Sequence, residues 1–195
     1  MKHPLTRELY EYWNGRRGNE AMPERSDIDP AAIRRILADS FVLAVEPGQS
    51  PRFRVAGTKI CELFARELRG EDFIALWGPE AAPQIRDFVS LVTGDGVGIL
   101  AGATMEAGDE FVCPLELLIL PLSLHGKGGQ RMLGSLVALE QPFWLGTRPA
   151  KCLDLGVVKF VGADIYAPPQ PQSAAWRIRA KLDTAAAATS NDSSL

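Results

Sequence analysis

An α+β fold built on one antiparallel sheet is the class this sequence predicts, and three observations predict it. Two short strand patterns flank a Pro-Gly turn, a block of short helical segments follows, and three longer strand patterns joined by Gly-rich turns come last. An amphipathic helix precedes them all. The chain has 195 residues, 46% hydrophobic and 23% charged, enough for one domain of usual size to bury a core without disulfide staples.

The elements follow in order. Leu5, Leu9, Tyr12 and Trp13 fall on one face of a helix that Gly15 and Gly18 end. Asp29 is placed to cap a second helix with Pro30 at its first position, Ile28 and Ile33 closing a staple, and Arg34 to Leu37 continuing it. Phe41–Val45 and Arg52–Ala56 form a hairpin around Glu46–Pro51, the second strand alternating with period two. Short helical or apolar segments cover Lys59–Leu68, with Gly70 as the stop, and Phe73–Trp77. A longer helix covers Pro79–Val92. Strands then run over Val97–Met105, Phe111–Leu124 and Arg131–Glu140, with Ala107–Asp109 a turn and His125–Gly129 a hairpin tip. Phe143–Asp164 is expected to pack back on the domain. The end of the chain reads as a helix over Ser173–Leu182 followed by an Ala/Ser-rich tail.

Net charge is -3, which gives no basic excess for nucleic acid. No signal peptide opens the chain, and the most apolar stretch, Cys113–Leu124, is interrupted by Pro114, Glu116 and Pro121 and falls short of the roughly 20 apolar residues a membrane helix needs. A soluble, cytoplasmic protein is expected, and the Asn191-Asp192-Ser193 glycosylation pattern is then accidental. Cys61, Cys113 and Cys152 are too few and too scattered for a disulfide framework or zinc cluster. Cys61 and Cys113 are expected to be buried and inert.

Chemical motifs are scarce. Gly96–Ala101 formally fits G-x-G-x-x-A, but a helix enters it and a strand leaves, the reverse of what a pyrophosphate site needs. Gly126–Gly129 lacks the Ser or Thr and the helix of a phosphate loop. The two histidines, His3 and His125, are peripheral, so neither a hydrolytic triad nor a histidine-rich metal site is expected. Asp27 and Asp29 lack the ligand spacing of a calcium loop. Catalytic, cofactor and metal residues are therefore all expected to be none. Along Pro114–Leu122, Leu115, Leu117 and Ile119 share one face and Glu116, Leu118, Leu120 and Leu122 the other. Both faces need cover. The short helices supply one, and either the N-terminal helix or a partner subunit supplies the other.

The order of elements resembles a PAS domain, and particular stretches resemble one bacterial stand-alone PAS subfamily formerly catalogued as a domain of unknown function. These are Met22–Pro30, Phe53–Thr58, Glu67–Phe73 through Leu76-Trp77, Leu117–Leu122 and Phe143–Thr147, spanning roughly residues 4 to 164. The resemblance implies a five-stranded antiparallel sheet in order 2-1-5-4-3 with helices cupped on one face. It divides the chain into an N-terminal helical cap (1–40), a PAS core (41–142), a segment packing on it (143–170), and a helix with a loose tail (171–195). It also implies a sensor or docking module that dimerises through its N-terminal helix, with Leu5, Leu9, Tyr12, Trp13, Leu118 and Leu120 as interface candidates. Any cavity between sheet and helices falls to Phe64, Phe73, Trp77, Phe88 and Leu117. No His stands in the helix block for haem, and the Asn-Cys-Arg-Phe signature of flavin photosensors is absent. The expectation is a non-catalytic signalling protein that acts by protein–protein interaction, as a homodimer or with a partner of a signalling system. The alternative is a small-molecule sensor with its ligand in that cavity. Trp176 with Arg177, Arg179 and Lys181 is either a docking patch or a solvated helix face.

Overall fold

The computed structural model describes residues 1–108, 111–124 and 130–162. The hairpin tip His125–Gly129, Asp109 of the preceding turn, and the expected helix, patch and tail beyond 162 lie outside the described residues. Helix α1 (Pro4–Arg17) is capped by His3, whose Nδ1 accepts the Leu5 N–H at 3.2 Å. It runs through Gly15, one turn further than expected, and stops at Gly18, whose φ of 54° leaves the helical region.

The second expected helix does not form. Asp29 does accept the Ala31 N–H at 2.9 Å, but the following backbone bonds, Ala32 to Asp29, Ile33 to Pro30 and Ile36 to Ile33, all close over three residues instead of four. The segment is a chain of tight turns ending in a 3₁₀ turn at Leu37–Asp39. This geometry suits its packing, since Ile28, Ile33 and Ile36 are all buried against the sheet.

Strands β1 (Ser40–Val45) and β2 (Arg52–Ala56) form the expected hairpin. Their register slips between Val42 and Leu43, so Leu43 faces Phe53 while Val42 faces Val55. A bulge therefore interrupts the period-two alternation expected of β2, and Val55 is left 54% exposed. Helix α2 (Thr58–Phe64) ends well before Gly70, because Ala65 takes up a left-handed conformation at φ 49° and Arg66 N–H closes back on the Cys61 carbonyl. A 3₁₀ turn at Ile74–Leu76 precedes α3 (Ala81–Asp95). Gly96, left-handed at φ 67°, then turns the chain into β3 (Gly98–Glu106), so the G-x-G-x-x-A stretch is a helix-to-strand connection.

Strands β4 (Val112–Leu122) and β5 (Gln130–Ala138) follow, and a sixth, β6 (Cys152–Val161), corrects the five-strand expectation. The order is β2-β1-β5-β4-β3-β6, all antiparallel, with the expected 2-1-5-4-3 order preserved inside it. β6 pairs with β3 from Glu106↔Cys152 to Gly98↔Val161 across a second bulge beside Gly102. Leu153, Leu155 and Val157 alternate as a strand should, but Gly156 and the bulge interrupt the pattern in the sequence.

One face of the sheet holds the helices. Ile60, Leu63, Phe64, Ile85, Phe88 and Val92 are buried there with Ile99, Leu115, Leu117 and Ile119. The opposite face carries a separate cluster of Leu9, Trp13, Ile28, Ile33, Ile36, Leu100, Leu118, Leu120, Leu122 and Leu133. The cover for that face comes from the same chain.

Gly134 stands opposite Phe41 in the β1–β5 pair, and a Cβ there would run into the Phe41 ring and the Leu118 carbonyl. Gly134→Ala is expected to destabilise by about 1–3 kcal/mol, read from the midpoint of urea unfolding with an unchanged slope.

Candidate functional site

Two regions contain the residues singled out in the sequence. On the helical face, Phe64 (α2), Phe73, Trp77, Phe88 (α3) and Leu117 (β4) are all buried. Phe73 is the hub of an aromatic network. It meets Phe41 and Phe53 at 5.6 Å between ring centroids and Trp77 edge-on at 5.9 Å. The Trp77 indole N–H is buried and meets no acceptor among the described residues, an exception to the rule that buried polar groups are paired. The aromatic character of Trp77 is plain in the sequence, but its orphaned donor depends on tertiary packing.

On the other face, Leu9, Trp13, Leu118 and Leu120 are fully buried within one chain, while Leu5 and Tyr12 are half-buried. Trp13 donates its indole N–H to the Pro121 carbonyl at 2.8 Å. The Tyr12 hydroxyl accepts the Asp29 N–H at 2.8 Å. The start of α1 is fixed by Glu116, a buried carboxylate on the central strand β4, which accepts the backbone N–H of Lys2 at 2.6 Å and of His3 at 3.0 Å. Burial alone would raise this carboxyl, but the backbone amides of Lys2 and His3 hold it below the ordinary glutamate value. Of the six interface candidates, four are thus spent in holding α1 to its own sheet.

Beside this covered area lies an open apolar groove of about 560 Å³ between the 28–38 segment and the β1–β2 hairpin, lined by Ile28, Ile33, Leu37, Val42 and Val55 with Arg25 and Arg34 among them. Leu37 and Val55 are 40% and 54% exposed. The sequence reading missed the groove for a definite reason. Unbroken alternation would pair Val55 with Phe53 on the inner face, whereas the bulge turns it outward beside Val42.

At the opposite side of the sheet, the β3–β6 register brings Glu106, Cys152 and Asp154 together, their donor atoms all within 4.8 Å of one another. Burial and the two neighbouring carboxylates, Asp154 and Glu106, push the Cys152 thiol up. Only the unpredicted strand β6 makes this grouping. Cys113 is buried as expected, but Cys61 is half-exposed, because α2 ends early and turns the Cys61 thiol toward Glu67 at 3.7 Å. Burial, with the Glu67 and Glu62 charges, raises the Cys61 thiol. His3 is occupied as a helix cap, and His125 lies outside the described residues.

A PAS domain family model matches residues 1–137, and the chain belongs to the PAS domain family. Its sheet order and N-terminal helix agree with that membership, and the family points to a sensory or signalling role in general. No curated protein matches the chain. Among solved structures, the PAS domain of a protein from Colwellia psychrerythraea is similar at 15% identity and a TM-score of 0.39, covering 57% of this chain and 98% of that one. Among the described residues no helix is long and apolar enough to cross a membrane.

The Glu116 clamp predicts acid sensitivity. Its folded pKa lies below the ordinary 4.5, so its contribution is complete above that value and is lost as pH falls through the lower folded one. Glu116→Gln is expected to cost about 1.5–3 kcal/mol at neutral pH and to flatten the acid limb of a stability-versus-pH curve from urea unfolding.

Proposed function

We propose that this protein is a non-catalytic PAS regulator that acts by docking a partner polypeptide of a signalling system in the groove between the 28–38 segment and β2. The observation that carries the reading is the pairing of an open apolar floor, Leu37, Val42 and Val55, with the guanidinium groups of Arg25 and Arg34. Exposed apolar patches of this kind mark interaction sites. The arginines select a segment with an apolar anchor and flanking carboxylates. The buried stripe of α1 leaves this groove as the favoured surface, ahead of the helix itself. Val55→Glu adds a charge at the groove floor and is expected to weaken partner binding by about thirtyfold or more, a cost of about 2 kcal/mol. Affinity capture from the native cell with wild-type and Val55→Glu protein side by side, read by quantitative mass spectrometry, checks this. A signalling protein held by the wild type and lost by the variant supports the reading; equal recovery from both overturns it. Light scattering of the same pair shows whether the occupant is a second copy, the homodimer alternative.

One observation favours a second reading, a small-molecule sensor with its ligand between sheet and helices. The buried Trp77 N–H has an unmet donor that a ligand acceptor would satisfy. On this reading, native mass spectrometry of the purified chain shows a bound mass that is released on denaturation and absent from Trp77→Phe. A spectrum of the bare chain alone overturns it.

A further inference from the structure

A second cavity, of about 270 Å³, opens at the foot of α1, on the other side of the 37–39 turn from the docking groove. It exists because β1 stops early. The β1–β5 ladder begins at Ser40↔Ser135, while β5 continues to Ala138, so Leu136–Ala138 pair only with β4 and their other edge faces the cavity. Leu5, Leu63 and Leu145 supply apolar walls.

The charges in it are unbalanced. Asp39 is only 4% exposed, and its one side-chain partner among the described residues is Lys59, at 3.2 Å through Oδ2. A buried carboxylate ordinarily gathers several donors, so Asp39 has capacity to spare. Glu62 stands on α2 three residues beyond Lys59 and lines the same space. His3 also lines the cavity, with its Nδ1 engaged by the Leu5 N–H as the α1 cap. Gln141 contributes a neutral amide. Two carboxylates and one ammonium thus line the same cavity, a balance that favours a cation and disfavours an anion.

We propose that this cavity binds a small organic ammonium, a primary amine with a compact apolar body. The ammonium takes the free side of Asp39 and Glu62, and the body rests on Leu5, Leu63 and Leu145. The volume corresponds to about nine waters, the size of an amine of similar heavy-atom number. Its walls come from α1, the 37–39 turn, α2 and the 141–146 turn, so occupancy ties the N-terminal helix to the core. This site is independent of the docking groove and of the Trp77 region, and stands or falls without them.

The test uses the full chain with n-hexylamine as probe and hexanoate as its anionic counterpart, read by amide chemical-shift titration and thermal melting. Hexylamine is expected to shift amides around Asp39, Glu62 and Gln141 saturably and to raise the melting temperature, with hexanoate doing neither. Lys59→Gln removes the competing ammonium and is expected to tighten hexylamine binding, whereas at an anion site the same change would abolish binding. Because Lys59→Gln leaves Asp39 unpaired and the variant can fail to fold, Glu62→Gln at an exposed position is the second arm, with an expected two- to fivefold loss, on the order of the worth of one exposed ion pair. Absence of saturable shifts with hexylamine, preference for hexanoate, or unchanged affinity in Glu62→Gln overturns the proposal.

Discussion

A single buried carboxylate decides where the N-terminal helix lies. Glu116 sits on β4 among leucines, in a sheet position that would ordinarily be apolar, and its charge is tolerable only because the first amides of the chain turn to meet it. The bond fixes one end of α1 and the Trp13 indole on Pro121 fixes the other. Between them Leu9 closes over Leu118 and Leu120. Without the clamp the helix would keep its apolar stripe and the Trp13 bond, but its first turn would have nothing polar to hold it to the sheet.

The same cover explains the asymmetry of the outer face. α1 and the turns of 28–39 reach as far as Leu133 and Val42 and no further. The sheet continues past them to β2, whose bulge turns Val55 outward just where cover runs out. A strand that kept its alternation would have hidden that valine. The open apolar groove is therefore a product of a backbone irregularity together with the limited length of the covering segment.

Most of the sheet was legible from the residues, because apolar runs bounded by turn signals mark β1 to β5 and counting by two along β4 sets which of its side chains share a face. The assignment of Leu115, Leu117 and Ile119 against Leu118, Leu120 and Leu122 is an example. The failures share a cause. The capping signal at Asp29 is real, and its side-chain bond forms, but packing of Ile28, Ile33 and Ile36 selects turns over a helix. α2 stops at Ala65, a residue with no intrinsic liking for left-handed backbone. β6 was hidden by its own bulge. The sites suffered likewise. The aromatic residues of the core were identifiable, but the groove, the cavity beside Asp39 and the Glu106–Cys152–Asp154 grouping all depend on where strands end or slip. Local sequence does not encode that strongly.

The two margins of the sheet are blunted in different ways. At β2, residues 70–73 fold across the open side: Phe53 N–H donates to the Glu71 carbonyl, Gly70 N–H to the Phe53 carbonyl, and Phe73 N–H to the Pro51 carbonyl. At β6, the bulge at Gly156 and the charges of Asp154 and Lys159 break up an otherwise long template. Margins interrupted in this way resist the open-ended stacking of further strands. Association with other molecules is then steered to the faces of the sheet, where side-chain shape and charge select the partner, and away from its edges, where any extended backbone would fit.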